Sequence, residues 1–346
     1  MQSARHKTFN TTVLLLFVGR FSTAFIEGNA ALSQGCRSQA TPCQRFAASG
    51  SLDLTEPLIL DPKKGSFLLP IFPLRKRVRF PTDELTLNLY EERYLAMSEY
   101  ILFPDSTTQN FEIETTATRL SAIAPFFGAL YSSDKPQIIT RGGTAPIVPV
   151  LQSGDIGVLC LVLNWMDGMI PMRGSKEKTS GDISDDDVVQ RQSGVGNNSR
   201  RRIRLNALAV GRFRIDTIVH DGTVSDGKPP FMLVEASLVI DDFEDQFDGL
   251  QFDRLKRELQ RTWQVSSDLE GQSKQRDSNK VVTRIKSLLV FGDDGLENQT
   301  RELESFQAAS IFTSPSGSSS PKDMISLLKT RSLQTRMNIL KFYKRW

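Results

Sequence analysis

Apolar and polar residues alternate with a period of two along much of the chain from Phe67 to Asp242, and this pattern predicts β-strands. The segment LTLNLY, residues Leu85–Tyr90, places three leucines on one face. The preceding segment FLLPIFPL is also strand-like, and its prolines predict a sheet edge or a bulge because proline cannot donate to a ladder. Four later segments have the same character: APFFGALYSS, APIVPVLQSGDIGVLCLVLNW, RIRLNALAVGRFRIDTIVH and PPFMLVEASLVID.

The apolar period changes from strand-like to helix-like after residue 242. The segment LQFDRLKRELQRTWQV spaces its leucines and Trp263 at helical intervals. Similar patterns follow in KVVTRIKSLLVFG, in LESFQAASIF and in KDMISLLKTRSLQTRMNILKFYKRW, the last preceded by the helix-start signal SSSPKD. One earlier helix is expected in EERYLAMSEYIL. The sequence therefore predicts an α+β protein, with a mostly β domain over residues 67–242 and a helical domain over residues 243–346.

Two polar stretches inside the β domain have no apolar period. Residues 103–119 and 172–202 cannot bury enough apolar surface to order themselves, so both are predicted to be insertions, the second one disordered. The acidic run DISDDD in the second insertion is interpreted as solvated rather than as a binding tail. Another acidic run, residues 240–249, lacks the glutamate of a calcium-binding loop and is interpreted as a lead-in to a helix.

The first 60 residues have the composition of a targeting leader. Residues 1–24 combine Arg5 and Lys7 with a short apolar run and small residues, which is typical of a signal peptide. Residues 25–60 begin with a stretch rich in Ala, Ser and Gln, and they are interpreted as a plastid transit peptide and linker. The segment STAFIEG resembles the bipartite plastid leader of diatoms and related algae. We expect a plastid, stromal location, with secretion as the alternative.

Charge and cysteine content narrow the function classes. The chain has 43 Lys and Arg against 40 Asp and Glu, and loss of residues 1–24 would leave 40 of each. A neutral chain is not typical of a protein that mainly binds phosphate backbones. Beyond the leader only Cys160 and His220 remain, so no zinc module and no cofactor are expected. Cys160 is interpreted as a core thiol and His220 as a surface histidine.

Catalytic signatures are missing from the sequence. It contains no P-loop, no dinucleotide-binding glycine motif and no nucleophile elbow. We therefore predict that the protein is not an enzyme. Catalysis by lone carboxylates such as Asp155 or Glu235 is the weakest alternative.

Two basic clusters are candidate contact sites for a partner or for RNA. The first is RKRVR, which follows the first strand, and the second is RRRIRLNALAVGRFRI. The candidate contact residues are Arg75, Arg79, Arg202, Arg204, Arg212 and Arg214. The alternative is plain alternation along a half-exposed strand, with Phe213 inward and Arg212 and Arg214 outward.

The order of these segments resembles the N-terminal, substrate-binding (LON) domain of Lon proteases. The stretch LPIFPLRKRVRFP followed by LTLNLYEERYLAMSEYIL is similar to the start of that domain. The segments GDIGVLCLVLNW, RIRLNALAVGRFRI and FMLVEASLVID resemble its later strands, and the C-terminal helices resemble its last helices, with Arg336 at a matching arginine. Lys76, Ala209 and the insertion at 172–202 depart from the family pattern.

The resemblance implies a PUA-like pseudo-β-barrel followed by a helical bundle, as a stand-alone member without ATPase or protease domains. It implies a non-catalytic protein that binds unfolded or extended polypeptides, or partners a plastid protease, in protein quality control. The alternative function is a PUA-like RNA-binding module.

Overall fold

The computed structural model describes most of the chain between residues 49 and 343. The described stretches are 49–52, 54, 56–61, 65–75, 78–104, 111, 113, 115–132, 151–171, 199–223, 227–242, 249–266, 280–291, 296–312 and 320–343. The predicted signal peptide, most of the predicted transit peptide and the body of the second insertion therefore lie outside the described residues. No helix in the described part of the chain has the length and apolar character needed to cross a membrane.

The elements run in the order that the periodicity predicts, strands first and then helices. The strands are β1 (Ser49–Ser51), β2 (Leu58–Leu60), β3 (Phe67–Arg75), β4 (Glu84–Leu89), β5 (Thr118–Arg119), β6 (Phe126–Ser132), β7 (Ile156–Pro171), β8 (Ser199–Asp221), β9 (Met232–Val239) and β10 (Leu289–Phe291). The helices are α1 (Glu92–Leu102), α2 (Gly249–Ser266), α3 (280–288), α4 (Leu296–Phe312), α5 (Pro321–Lys329) and α6 (Leu333–Tyr343).

Five strands close into a barrel. In the strand order β1-β7-β6-β3-β9-β8-β4, an additional pairing of β7 with β8 joins the ring β7-β6-β3-β9-β8. Within this sheet the pairings are antiparallel except those of β3 with β5 and β6. The predicted α+β class, a mostly antiparallel pseudo-barrel followed by helices, is confirmed.

Both faces of the central part of β7 are buried. Along β7, Val158 and Cys160 enter one apolar cluster, whereas Leu159 and Leu161 enter another. The first cluster is shared with α1, α5 and α6, and the second with α3 and β10. Burial on both faces explains why GVLCLVLNW is almost continuously apolar instead of alternating. Cys160 is fully buried, so its interpretation as a core thiol is confirmed.

Local signals set several element boundaries correctly. The leucines of β4 are buried and its other residues are exposed, as the alternation predicts. Helix α5 begins at the predicted start signal, because Ser320 Oγ accepts a hydrogen bond from the Asp323 amide and the Asp323 carboxylate accepts one from the Ser320 amide.

The prediction that β3 lies at a sheet edge or contains a bulge is wrong, since neither its ladder with β9 nor its ladder with β6 has a register shift. It pairs with β9 over residues 67–71 and with β6 over residues 71–75, so it lies inside the sheet. Each proline nevertheless has a ladder partner on one side, since Pro70 lies opposite Leu233 and Pro73 opposite Leu130. The missing N–H groups are tolerated there because the strand changes partners between the two prolines.

The fold begins before residue 67. Strand β1 pairs with β7, and β2 forms a parallel pair with β10 in the helical part. Gly50 lies directly under the ring of Trp165, where a Cβ atom would come within 2.6 Å of the indole nitrogen. Residues 49–60, predicted to be leader or linker, therefore contribute strands to the body of the protein.

The predicted second insertion is shorter than expected. Residues 199–202 belong to β8 and pair with residues 168–171 of β7. The two strands form a long hairpin, and the connecting residues 172–198 lie outside the described part.

Candidate functional site

A solvent-facing surface of β4, β8 and β7 carries three of the arginines from the second basic cluster. Arg200, Arg202 and Arg204 occupy alternate positions on β8, so their side chains leave the sheet on the same side. Asn88 of β4 and Met166 of β7 lie opposite Arg204 in the two ladders. The next row joins Thr86, Asn206 and Asn164 by side-chain hydrogen bonds, which confirms that this register faces solvent.

We call the surface formed by Tyr90, Met166, Arg200, Arg202 and Arg204 the arginine face. Tyr90 and Met166 are 49% and 57% exposed, which is unusual for side chains of this size and polarity. The Arg200 guanidinium lies 5.3 Å from the centre of the Tyr90 ring. Aromatic residues, methionine and arginine are the side chains enriched in protein interfaces.

On the opposite face of β8, Arg201 is paired with carboxylates. Arg201 points toward α1 and forms ion pairs with Asp167 and Glu99. The hydrogen bonds that Arg201 donates to these carboxylates, to Asp167 above all, raise the pKa of Arg201 further above its usual range. The alternation of β8 thus separates one neutralised arginine from three others on the arginine face.

Strand β4 offers an open edge beside this face. It stands at the end of the strand order and pairs with β8 alone among the described strands. The Asp83 carbonyl accepts a hydrogen bond from the Ala209 amide, and antiparallel ladders alternate inward and outward groups. The backbone N–H and C=O groups of Thr86 and Asn88 therefore point away from β8, toward the open edge.

Arg212 does not belong to this surface. It is 1% exposed and lies at the junction of the barrel with α4, α5 and α6. Its guanidinium donates to Asp241 at 2.6 Å, to Glu302 at 3.0 Å, and to the carbonyls of Leu328 and Thr330 at 2.9 and 3.0 Å. The prediction of Arg212 as a partner or RNA contact is wrong, and so is the alternative in which it faces solvent.

Arg336 completes this buried network from α6. It donates to both oxygens of Asp241, at 2.5 and 2.9 Å, and the Phe306 ring lies 3.7 Å from its guanidinium carbon. Burial lowers the pKa of Arg336 and raises the pKa of Glu302, because both charged forms lose hydration. The junction therefore depends on charges that balance one another. Asp241, interpreted from sequence as part of an acidic lead-in to a helix, is a central acceptor.

The remaining candidate arginines are dispersed. Arg75 ends β3 opposite Ser132, and its side chain lies outside the described residues. Arg79 is half-buried, 3.8 Å from the Asp83 carboxylate. Arg214 is exposed and is bonded to Asp216 and Ser237. Of the six candidates, the structure brings together Arg202 and Arg204 on the arginine face.

The other side chains that could act in catalysis or metal binding form hydrogen bonds within the fold. His220 is 7% exposed and its Nε2 lies 2.9 Å from the Thr223 carbonyl, so its interpretation as a surface histidine is wrong. Asp155 accepts a hydrogen bond from the Gln152 amide, and Glu235 accepts one from Thr115. Across the described residues, His, Cys, Asp and Glu side chains form no group of three or more that suits a metal ion.

Sequence reasoning missed Tyr90, Met166 and the outward backbone of β4. The alternation of LTLNLY indicates which β4 side chains face solvent, but it does not reveal an unpaired edge. The pairing that places Met166 and Asn88 beside Arg204 joins strands far apart in sequence.

Comparison with known proteins gives matches among solved structures. No protein-family model matches the chain, and no curated protein matches it. One similar structure is the Lon N-terminal domain protein from Xanthomonas campestris, with 16% identity, coverage of 80% of this chain and 97% of that chain, and a TM-score of 0.38. Another is the N-terminal domain of the Mycobacterium avium complex Lon protease, with 10% identity, coverage of 80% and 98%, and a TM-score of 0.37. Both are structures of Lon N-terminal domains.

Proposed function

We propose that this protein is a non-catalytic binding module that takes up unfolded or extended polypeptide segments in protein quality control. The sequence resemblance to the Lon N-terminal domain supports the proposal. The observation that carries it is the open edge of β4, where the backbone groups of Thr86 and Asn88 face away from β8.

An open strand edge recognises a polypeptide by its backbone. An extended segment that lies along β4 pairs with the outward N–H and C=O groups and adds a strand to the sheet. These hydrogen bonds do not depend on the side chains of the segment, so many clients can use them. The exposed Tyr90 and Met166 add apolar contact beside the edge.

Blocking one outward amide tests this mode of binding. Thr86→Pro removes an N–H that points to the open edge and leaves the ladder to β8 intact, because proline is tolerated where the N–H faces solvent. Thr86→Val is the matched control, since it also loses the hydroxyl that bonds Asn206 but keeps the N–H. The probe is a dye-labelled unfolded polypeptide without net charge, followed by fluorescence anisotropy.

We expect the wild type and Thr86→Val to bind this probe at tens of micromolar, and Thr86→Pro to bind it about tenfold more weakly, the equivalent of one or two hydrogen bonds. Equal binding by the two variants, or no binding by the wild type, would contradict strand addition at β4. Circular dichroism of each variant shows whether the fold is retained.

We further propose a plastid location and partnership with a protease, supported by the leader composition. Microscopy of a fluorescent fusion of the full chain tests the location, and a signal outside plastids would contradict it. Capture of the tagged chain from plastid extract, with and without nuclease, tests the partnership. Protease subunits that are recovered regardless of nuclease support the partnership. Ribosomal or RNA-processing factors that disappear with nuclease would favour the RNA-binding alternative.

A further inference from the structure

We propose that the arginine face selects extended polypeptide segments that carry acidic side chains at alternate positions. This inference rests on the proposed function and names the chemistry of the preferred segment. The relevant groups are Arg200, Arg202 and Arg204 of β8, beside the open edge of β4.

The arginine face carries charge that no described carboxylate compensates. Within the described part of the chain, Arg200, Arg202 and Arg204 form no ion pair, whereas Arg201 between them has two. Their neighbours across the ladders are uncharged, namely Asn88, Met166, Gly168 and Ile170. A fold that needed these arginines for its own stability would place carboxylates within reach of them, as Asp167 and Glu99 are within reach of Arg201. The face therefore presents a row of positive charge to whatever binds it.

The spacing of the three arginines matches the repeat of an extended polypeptide. Alternate residues of a strand lie about 6.6–6.8 Å apart, so the three guanidinium groups repeat at that interval. An extended polypeptide beside the sheet has the same repeat, and its alternate side chains point to the same face. Aspartate or glutamate at every second position would meet the arginines in register. Consecutive acidic residues would direct half of their charge to the opposite face.

A segment bound at the edge of β4 lies within reach of the three arginines. A segment on the open edge of β4 lies two strand spacings, about 10 Å, from Arg204, with the short side chain of Asn88 between them. Strand β4 ends at Leu89, but β8 continues back to Ser199, so no described strand separates Arg202 and Arg200 from an incoming segment. Long, flexible arginine side chains can reach across this gap.

The same features favour a polypeptide over a nucleic acid. Proteins that bind single strands combine positive charge with several aromatic side chains on which bases stack. Tyr90 is the one aromatic ring of the arginine face, and the Arg200 guanidinium already lies over it. Charge without stacking rings, beside an open strand edge, matches an acidic extended chain.

Three labelled probes of equal length test the inference against the full chain. The first peptide alternates aspartate with threonine, the second has the same composition with its aspartates in one block, and the third replaces aspartate by asparagine. We expect the alternating peptide to bind about tenfold more tightly than the other two at low salt, and the advantage to shrink as salt screens exposed charges. Equal affinity for all three peptides would overturn the inference and leave strand addition at β4 untouched.

Substitutions of single arginines and pairs of arginines test which residues produce the preference for the alternating peptide. Arg202→Gln combined with Arg204→Gln should remove the preference for the alternating peptide and leave the asparagine peptide unaffected. Arg214→Gln is the matched control, because Arg214 is an exposed arginine of the same strand that lies away from the face. Loss of the preference in the control would overturn the assignment.

The wild type and the double variant also test two other possible occupants of the arginine face, a nucleic acid and a second copy of this chain. A single-stranded RNA that binds more tightly than the alternating peptide, and loses that affinity in the double variant, would assign the face to nucleic acid. Self-association of the wild type that is absent from the double variant in sedimentation would assign it to a second copy of this chain. Failure of all three peptides to bind would instead count against the proposed function itself.

Discussion

Arg212 and Arg214 stand two positions apart on β8, and their surroundings give them opposite roles. Arg214 is half-exposed and bonded to Asp216, whereas Arg212 is buried among Asp241, Glu302 and Arg336. A buried charge is stable only while its partners remain, because hydration no longer compensates it. The network of Arg212 therefore ties β8 to α4 and α6.

Two adjacent aspartates allow a matched test of this network. Asp241 is fully buried and accepts from Arg212 and Arg336, whereas Asp242 pairs with Arg331 in a setting where both side chains are more than half exposed. We expect Asp241→Asn to lower the free energy of unfolding by about 3–5 kcal/mol, because it leaves buried arginines undercompensated. Asp242→Asn should change it by less than about 1 kcal/mol.

Urea denaturation of both variants measures these differences. Similar effects for the two substitutions would mean that the junction does not depend on the buried charges.

A second buried carboxylate predicts a pH dependence. Asp83 accepts from the Phe80 amide at 3.1 Å and from Ser310 at 2.5 Å, but burial outweighs these bonds and raises its pKa above the usual 3.8. Between 3.8 and the higher folded pKa, the folded state binds more protons than the unfolded state, so stability falls as pH rises through that window. Asp83→Asn cannot titrate and should lose this part of the fall.

The measurement is unfolding free energy against pH for wild type and Asp83→Asn. The difference between the two curves isolates Asp83, since Glu302 titrates in both proteins. Parallel curves would show that Asp83 contributes no proton linkage.

At the level of the secondary-structure elements, the strands of the barrel pack around the aromatic ring of Phe213. Phe213 of β8 is completely buried, and it fits because Gly128 on β6 and Gly157 on β7 leave room for it. A Cβ atom at either glycine would come within 2.7 Å of the ring. The strands can approach one another there because these positions lack side chains.

Two glycines of β7 provide a matched comparison. Gly157→Ala would bring a methyl group within 2.6 Å of the Phe213 ring and 2.8 Å of the Ala129 carbonyl oxygen. We expect it to destabilise the protein by about 1–3 kcal/mol, as overpacked cores are. Gly168→Ala has no described atom within 4 Å of its new Cβ and should change stability by less than about 0.5 kcal/mol.

Thermal or urea unfolding of the two alanine variants decides the point. A cost for Gly168→Ala as large as that for Gly157→Ala would indicate a backbone effect instead of contact with Phe213.

At the scale of the whole molecule, the segment before β3 connects the barrel to the helical part. It pairs with β7 through β1 and with β10 through β2, and Leu60 is 6% exposed in the apolar cluster that also holds Val282 and Leu289. The segment therefore contributes to both parts of the molecule.

Two truncated chains test this contribution. A chain that starts at Ser49 keeps both strands, and a chain that starts at Asp61 loses them. We expect the shorter chain to melt about 5 °C or more below the longer one, because burial of Leu60 and its neighbours is lost. Equal melting temperatures by circular dichroism would show that the segment is dispensable for stability.

The local structure and the order of the elements follow from the sequence alone. The alternation in LTLNLY defined β4, the helical spacing after residue 242 defined the helical part, and SSSPKD marked the start of α5. These features depend on residues within a few positions of one another, so a single sequence contains them. The order of the segments was also sufficient to indicate the resemblance to the Lon N-terminal domain.

Long-range packing, in contrast, sets which polar residues are buried and which strand edge is open. Arg212 and Arg214 have the same local pattern, yet Arg212 is covered by Asp241, Glu302 and Arg336, which lie 29 to 124 positions away along the chain. The open edge of β4 likewise depends on its pairing with β8, about 120 residues away. Periodicity reports which face a side chain occupies, but what covers that face is set by long-range packing.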